Sequence, residues 1–250
     1  MANQIQTCFE RYEKKYRITA AQQQALLAGM RPYMTADAYG EYTICNIYYD
    51  TDDWRLIRAS LEKPVYKEKL RVRSYGVPGP DGKVFVELKK KYDGVVYKRR
   101  ITTQARLVAP FLAGQLPGQD FGQIGREIRW FQDFYHTKPK VYLAYDRQAF
   151  AGIEDSELRI TFDTGLRWRD TDVDLCAGDY GAPILPEGDI LMEIKIPGAC
   201  PLWLSQLLSE VGAFPSSFSK YGTCYKNNLI DRTPAAALHT LHRREAKVCA

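Results

Sequence analysis

The feature that most constrains this chain is a two-residue alternation of charge and apolarity that returns in segment after segment. Lys67, Lys69, Arg71 and Arg73 stand at every second position, with Leu70 and Val72 between them. Glu87 and Lys89 alternate with Val86 and Leu88, and Lys98 and Arg100 follow Val96 in the same rhythm. Arg159, Thr161 and Asp163 alternate with Leu158, Ile160 and Phe162, while Glu193 and Lys195 alternate with Met192, Ile194 and Ile196. Arg11, Glu13 and Lys15 share one phase of the first such segment, and Arg147 sits in Tyr145-Asp-Arg-Gln-Ala-Phe150. A strand sends successive side chains to opposite faces, so each segment has one apolar and one charged face. Such a chain folds as antiparallel sheet with the apolar face covered.

The pattern predicts eight strands, at residues 7–18, 42–50, 66–75, 83–91, 95–102, 141–151, 157–168 and 189–196. Helices are expected between and after them. Thr19 opens one to about residue 34, with Gln22 completing a capping box. Asp52 or Asp53 opens a short one, and others cover 103–113, 121–135, 201–211 and 216–229. Tyr92-Asp93-Gly94 reads as a hairpin turn. There is no βαβ rhythm, so the class is α+β: an eight-stranded antiparallel barrel, or a strongly curved sheet, with helices outside. At 250 residues, 45% of them apolar, the chain can bury a sizeable core. One domain over 1–230 is the simplest division, with 231–250 as a weakly ordered tail.

Charge sharpens the reading. An ordinary wet face mixes Thr, Ser, Gln, Lys and Glu, whereas these faces are mainly Arg and Lys. Residues 63–100 hold 12 Lys+Arg against 4 Asp+Glu, and residues 151–193 hold 3 against 11, although the whole chain is only +5. If the sheet closes, one charged face lines a lumen that a barrel of about eight strands could offer to a small ligand. A lumen of cations repels itself unless it holds a polyanion. Carboxylates among them, Glu13, Glu87 and Glu193, could ligate a hard divalent cation that also bridges phosphate oxygens.

Several chemistries are set aside. The six Cys form no C-x-x-C pair, which argues against a zinc ribbon or a redox motif. Of three His, His239 and His242 lie in the expected tail, so a His-based triad is not built here. The stretch from Gly76 to Lys83 is a turn and not a P-loop, since it contains two prolines and continues into Val84 and a strand. Asp170, Asp172 and Asp174 open like a calcium loop, but Leu175 stands where glycine is required. The 17 Tyr are expected in barrel packing, so no stable nucleic-acid partner is expected. No apolar run approaches membrane-spanning length and no secretory leader is visible, which points to the cytoplasm, with a membrane partner still compatible.

Nine pieces, in order over residues 8–228, together resemble one known family. They are Arg11-Tyr-Glu-Lys-Lys-Tyr-Arg17, Ile47-Tyr-Tyr-Asp-Thr51, Leu70-Arg-Val-Arg-Ser-Tyr-Gly76, Val86-Glu-Leu-Lys89, Val96-Tyr-Lys-Arg-Arg100, Tyr145-Asp-Arg-Gln-Ala-Phe150, Leu158-Arg-Ile-Thr-Phe-Asp-Thr164, Leu191-Met-Glu-Ile-Lys195 and Phe218-Ser-Lys-Tyr221. The set is similar to the catalytic domain of the vacuolar transporter chaperone (VTC) polyphosphate polymerases, within the triphosphate tunnel metalloenzymes. The resemblance implies an eight-stranded tunnel, ATP and inorganic polyphosphate as substrates, ADP as product, and Mn²⁺ or Mg²⁺. It also implies phosphate-binding roles for Lys15, Arg71, Arg73, Lys89, Lys98, Arg147 and Arg159, contacts from Tyr145 and Lys220, and a metal-ligand role for Glu193. Lys69, Arg100 and Lys195 join them by periodicity alone. Hydrolytic members of the superfamily carry two Glu and a Lys on the first strand. Arg11 replaces the first Glu here, which favours a polymerase over a triphosphatase; a tripolyphosphatase or nucleoside triphosphatase in the same tunnel and a non-catalytic polyphosphate or nucleic-acid binding module stand as the alternatives. With no sensor domain upstream and no membrane segment downstream, the expectation is a bacterial-type stand-alone domain.

Overall fold

A computed structural model of the chain describes residues 12–93 and 95–232. Arg11 and the start of the first expected strand, Gly94 of the hairpin turn, His239, His242 and nearly all of the expected tail therefore lie outside the described residues.

The elements, in chain order, are β1 (Tyr12–Ile18), α1 (Ala20–Met30), β2 (Met34–Asp50), α2 (Arg55–Leu61), β3 (Tyr66–Tyr75), β4 (Lys83–Tyr92), β5 (Val95–Gln104), α3 (Ala105–Leu112) and α4 (Gly122–Tyr135). They continue with β6 (Lys138–Gly152), β7 (Arg159–Arg169), β8 (Ala182–Pro183), β9 (Ile190–Ile196), α5 (Leu202–Glu210), β10 (Pro215–Ser216) and α6 (Lys220–Asn228). The fold is α+β with an antiparallel sheet, as the alternation predicts. All eight expected strands are present, joined by the two-residue strands β8 and β10, which are too short to leave a pattern.

The closed barrel is corrected. Among the described residues the hydrogen-bonded order runs β10-β1-β9-β7-β6-β2-β3-β4-β5, with β8 beside β7, so this path is open and ends at β5 and β10. The run Lys98, Arg99, Arg100 is exposed on β5, and charge of this density on an end strand opposes further strand pairing.

The described residues fall into two compact units. The first comprises the chain up to Ile44, Tyr145–Arg167 and Leu185–Phe218. Here β9 lies between β1 and β7, and their apolar faces bury Tyr16, Ile18, Ile160, Phe162, Met192 and Ile194 with Leu26 and Met30 of α1 and Leu204 and Leu208 of α5. The α1 and α5 helices approach closely at Gly29, where a Cβ would come within 2.5 Å of Leu207. The capping box forms as expected: Gln22 donates its backbone N–H to the Thr19 hydroxyl, and its side-chain oxygen accepts from the Thr19 N–H. Thr19→Ala is expected to destabilise the protein by about 1 kcal/mol, measured as a shift in the urea midpoint; an unchanged midpoint would show the cap to be idle.

The second unit comprises Cys45–Ala144, Trp168–Ile184 and the chain from Ser219. Strands β3, β4 and β5 form a meander. Leu70, Val72, Val84, Val86, Leu88 and Ile101 pack against Phe111 of α3 and Ile128 and Phe131 of α4. The acidic stretch after β7 closes on buried Arg169, whose guanidinium donates to the carbonyls of Asp172, Asp174 and Tyr180 and lies 3.5 Å from the Tyr142 ring centre. The loop is therefore organised around a cation within the chain.

Candidate functional site

Register places the charged residues. Arg71 faces Glu87, Lys69 faces Lys89 and Lys67 faces Lys91 across β3 and β4; Glu87 faces Arg100 and Lys89 faces Lys98 across β4 and β5. Directly paired residues share a face. One face of the meander thus carries nine cations (Lys67, Lys69, Arg71, Arg73, Lys83, Lys89, Lys91, Lys98, Arg100) and a single carboxylate, Glu87.

That carboxylate is 1% exposed. Arg71 Nε donates to its Oε2 at 2.7 Å, Lys98 Nζ lies 2.6 Å from its Oε1, and Arg73 Nε is 4.0 Å away. Burial alone would raise its pKa, but Arg71, Arg73 and Lys98 outweigh burial and bring it down to about 2. Both oxygens answer cations, and Glu87 is the counter-charge that lets them stand together.

The remaining cations are crowded. Burial lowers the pKa of Lys67, and Lys91 and Lys63 lower it further. Burial also lowers that of Lys98; Glu87 acts against this, while Arg73 and Arg71 reinforce it. Cations that depress one another's pKa form a surface that an anion stabilises. Lys89 is exposed, and the Arg100 guanidinium stacks 4.8 Å from the Phe85 ring centre.

Strand β2 supplies partners that sequence reasoning missed. Asn46, Tyr48 and Asp50 alternate on it; that rhythm was visible, but without Arg or Lys it carried no signal. Arg73 Nε donates to Asn46 Oδ1 at 3.1 Å, and Arg71 Nη1 reaches the Tyr48 hydroxyl at 3.5 Å. Burial raises the Tyr48 pKa, but Arg71, then Arg73 and Lys220, carry it below its ordinary value. Lys220 is the first residue of α6, whose helix start is capped by the Ser219 hydroxyl accepting from Gly222 N–H.

The first unit holds a second cluster. Lys15 faces Glu193, while Lys195 faces both Glu13 and Arg159, so these five share a face with Thr161 and Asp163. Lys15 Nζ lies 3.2 Å from Glu13 and 3.7 Å from Glu193, and it also donates to the Phe218 carbonyl at 3.2 Å. Arg147 makes a two-pronged contact with fully buried Asp163 at 2.6 and 2.8 Å, and its Nη2 lies 3.7 Å from Glu193. Its guanidinium is 5.2 Å from the ring centre of buried Tyr145. Arg159 donates to the Ser156 carbonyl at 2.9 Å. Asp163, placed on the charged face from sequence but given no role, is the partner that orients Arg147.

Among the described residues, no group of three His, Cys, Asp or Glu is arranged to hold a metal ion. Glu13 and Glu193 share a face and both meet Lys15 at ion-pair distances. Of the carboxylates in this cluster, these two are the ones that could hold a divalent cation.

The VTC domain family model matches residues 10–228. The chain is similar to vacuolar transporter chaperone complex subunit 4 of Trypanosoma cruzi, 24% identical over 274 aligned positions covering 85% of this chain and 33% of that protein. It is 26% identical over 225 positions to the same subunit of Schizosaccharomyces pombe, covering 71% and 30%. The chain thus spans about a third of the length of these curated relatives. Solved structures with partial likeness include a putative adenylyl cyclase from Hippeastrum described as having a dominant triphosphatase activity, with TM-score 0.48 and 18% identity over 87% of this chain and 96% of that one. A Pyrococcus horikoshii protein overlaps at TM-score 0.44 and 11% identity, over 87% and 100%.

Proposed function

The chain belongs to the VTC domain family, and on that premise we propose that it is a polyphosphate polymerase: it transfers the γ-phosphoryl group of ATP to the end of a growing inorganic polyphosphate chain and releases ADP. One observation carries this reading, the face of nine cations around one buried carboxylate. Such a face suits a ligand with many closely spaced negative oxygens.

In the proposed reaction a terminal polyphosphate oxygen attacks the γ-phosphorus, the bond to the β-γ bridging oxygen breaks, and ADP leaves with that oxygen. The attacking group is already an anion, so no general base is required. Phosphoryl transfer asks chiefly for alignment and for neutralisation of the equatorial oxygens. Arg71 and Arg73 are pre-set by Glu87, Tyr48 and Asn46, and so can offer guanidinium edges to phosphate with little reorganisation. Lys69, Lys89, Lys98 and Arg100 extend the same field along the strands. The other unit, taken by itself, carries a second anion-binding cluster in this reading: Arg147, oriented by Asp163 beside Tyr145, with Lys15, Arg159 and Lys195. Glu193 with Glu13 would hold Mn²⁺ or Mg²⁺, which when bound neutralises charge on phosphate oxygens. Lys220 adds a cation from the start of α6.

The test is incubation of the purified protein with ATP and Mn²⁺, followed by polyphosphate staining on a gel. A ladder with stoichiometric ADP supports the polymerase. Phosphate release from tripolyphosphate or ATP without a ladder replaces it with a hydrolase, and binding without turnover replaces it with a non-catalytic polyphosphate-binding module. Arg71→Ala and Arg73→Ala are each expected to weaken tripolyphosphate binding about tenfold, the loss of one or two charge-assisted hydrogen bonds. Calorimetric titration reads this directly, and wild-type affinity in both variants would refute the assignment of this face.

A further inference from the structure

Against the nine cations of the meander face, only Glu87 supplies a carboxylate there. What sets the start of α6, which carries Lys220? The contacts lead to Asp50. This carboxylate, 0% exposed at the end of β2, accepts the backbone N–H groups of Thr51 at 2.8 Å, Leu56 at 2.9 Å and Ile57 at 3.0 Å. It thereby serves the start of α2, a task that sequence assigns to Asp52 or Asp53. The Thr51 hydroxyl donates as well, at 3.4 Å, and a further donor comes from far away in the chain: the Tyr221 hydroxyl, at 2.9 Å across 171 residues.

Tyr221 directly follows Lys220. Its ring stacks on Tyr48 with centres 4.5 Å apart and planes 19° apart, and the Tyr48 hydroxyl is the group that Arg71 reaches. A continuous chain of contacts therefore runs from Asp50 through Tyr221 and Tyr48 to Arg71, with Lys220 at its side. Both Asp50 and the Tyr221 hydroxyl are buried and have no part in the proposed chemistry.

We propose that Asp50 and Tyr221 are positioning residues: their hydrogen bond sets the first turn of α6 so that Lys220 joins Arg71 and Arg73 in binding phosphate. This rests on the phosphate-binding reading of that face. The Tyr221 ring supplies the stack, and its hydroxyl supplies the aim.

Tyr221→Phe tests the hydroxyl while keeping the ring. Binding of tripolyphosphate with a chelator present separates the result from metal loading and turnover. Tyr221→Phe is expected to weaken affinity about fivefold and Lys220→Ala about tenfold, the latter being about 1.4 kcal/mol. The double variant is expected to be no weaker than Lys220→Ala alone, because the hydroxyl acts through Lys220. A purely structural role for the hydroxyl would give additive losses, and additive losses overturn the inference. Leu229→Ala removes a buried side chain at the far end of α6 and serves as the stability control. Its affinity is expected to stay at wild type, and an equal loss there would make the effect global and overturn the proposal. Tyr221→Phe binding like wild type while Lys220→Ala is weakened overturns the positioning role alone. Failure of the wild-type protein to bind tripolyphosphate overturns the phosphate reading and this inference with it.

Discussion

Glu87→Gln is expected to destabilise the protein by about 3–5 kcal/mol, the cost of removing one partner from a buried ion pair and leaving the rest uncompensated. Gln keeps the shape but cannot balance Arg71, Arg73 and Lys98, which lie within 2.6 to 4.0 Å of the carboxylate. Thermal unfolding should show a fall of about 10 °C or more for a chain of this size. The pH dependence carries a sign. A folded pKa of about 2 lies below the usual 4.5, so the stabilisation is complete above about pH 4.5 and is lost as pH falls toward 2. The shift corresponds to roughly 3 kcal/mol. Wild type should therefore lose stability steeply between pH 5 and pH 2, and Glu87→Gln should show a shallower acid limb. Equal stability at pH 7, or parallel acid limbs, would show that Glu87 does not act as the counter-charge.

Arg147→Ala is expected to have an effect of similar size for the opposite reason. It strips the guanidinium from Asp163, a carboxylate with no exposed surface, and from its 3.7 Å neighbour Glu193. Burial disfavours charge on Arg147, but Tyr145, Asp163 and Glu193 together more than offset this and raise its pKa. The expected stability loss is again about 3–5 kcal/mol, and polyphosphate formation is expected to fall by at least about a hundredfold, as when a preorganised charge is removed from a phosphoryl-transfer site. Stability and function separate in the double variant Arg147→Met with Asp163→Asn. Removing both charges should recover most of the stability, since paired charges of this kind are readily replaced by neutral side chains. Turnover should stay lost. A double variant with wild-type turnover would refute the role of Arg147, and a single variant as stable as wild type would refute the energetic weight of its pairing.

Much of the sheet was legible in the residues. The third expected strand, 66–75, matches β3 at both ends because alternation runs unbroken through it and a Gly/Pro-rich turn follows. The beginning of β2 was not legible. Residues 34–41 mix small, acidic and glycine residues, and Gly40 has φ of +64°, so period two is lost in a segment that the partner strands hold extended. The opening of α2 was misassigned for a related reason. Asp52 and Asp53 are suitable local caps, but the residue before the helix, Trp54, is left-handed and the capping oxygens come from Asp50 on the preceding strand.

The candidate site divides in the same way. The alternation placed Lys69, Arg71, Arg73, Glu87, Lys89, Lys98 and Arg100 on one face, and the register agrees. It could not show that Glu87 spends both oxygens on cations, or that Asp163 aims Arg147, or that Tyr48 and Asn46 steady the arginines.

What the sequence by itself determined is which side chains share a face, because the pleat of a strand is a local property with a period of two. Strand order, the open ends at β5 and β10, and the partner of each charge were decided only by tertiary structure. Those depend on which strands meet and in what register, and a carboxylate's role follows from the cations that arrive beside it. For Glu87, that arrival makes the carboxylate the counter-charge of a crowded cationic face.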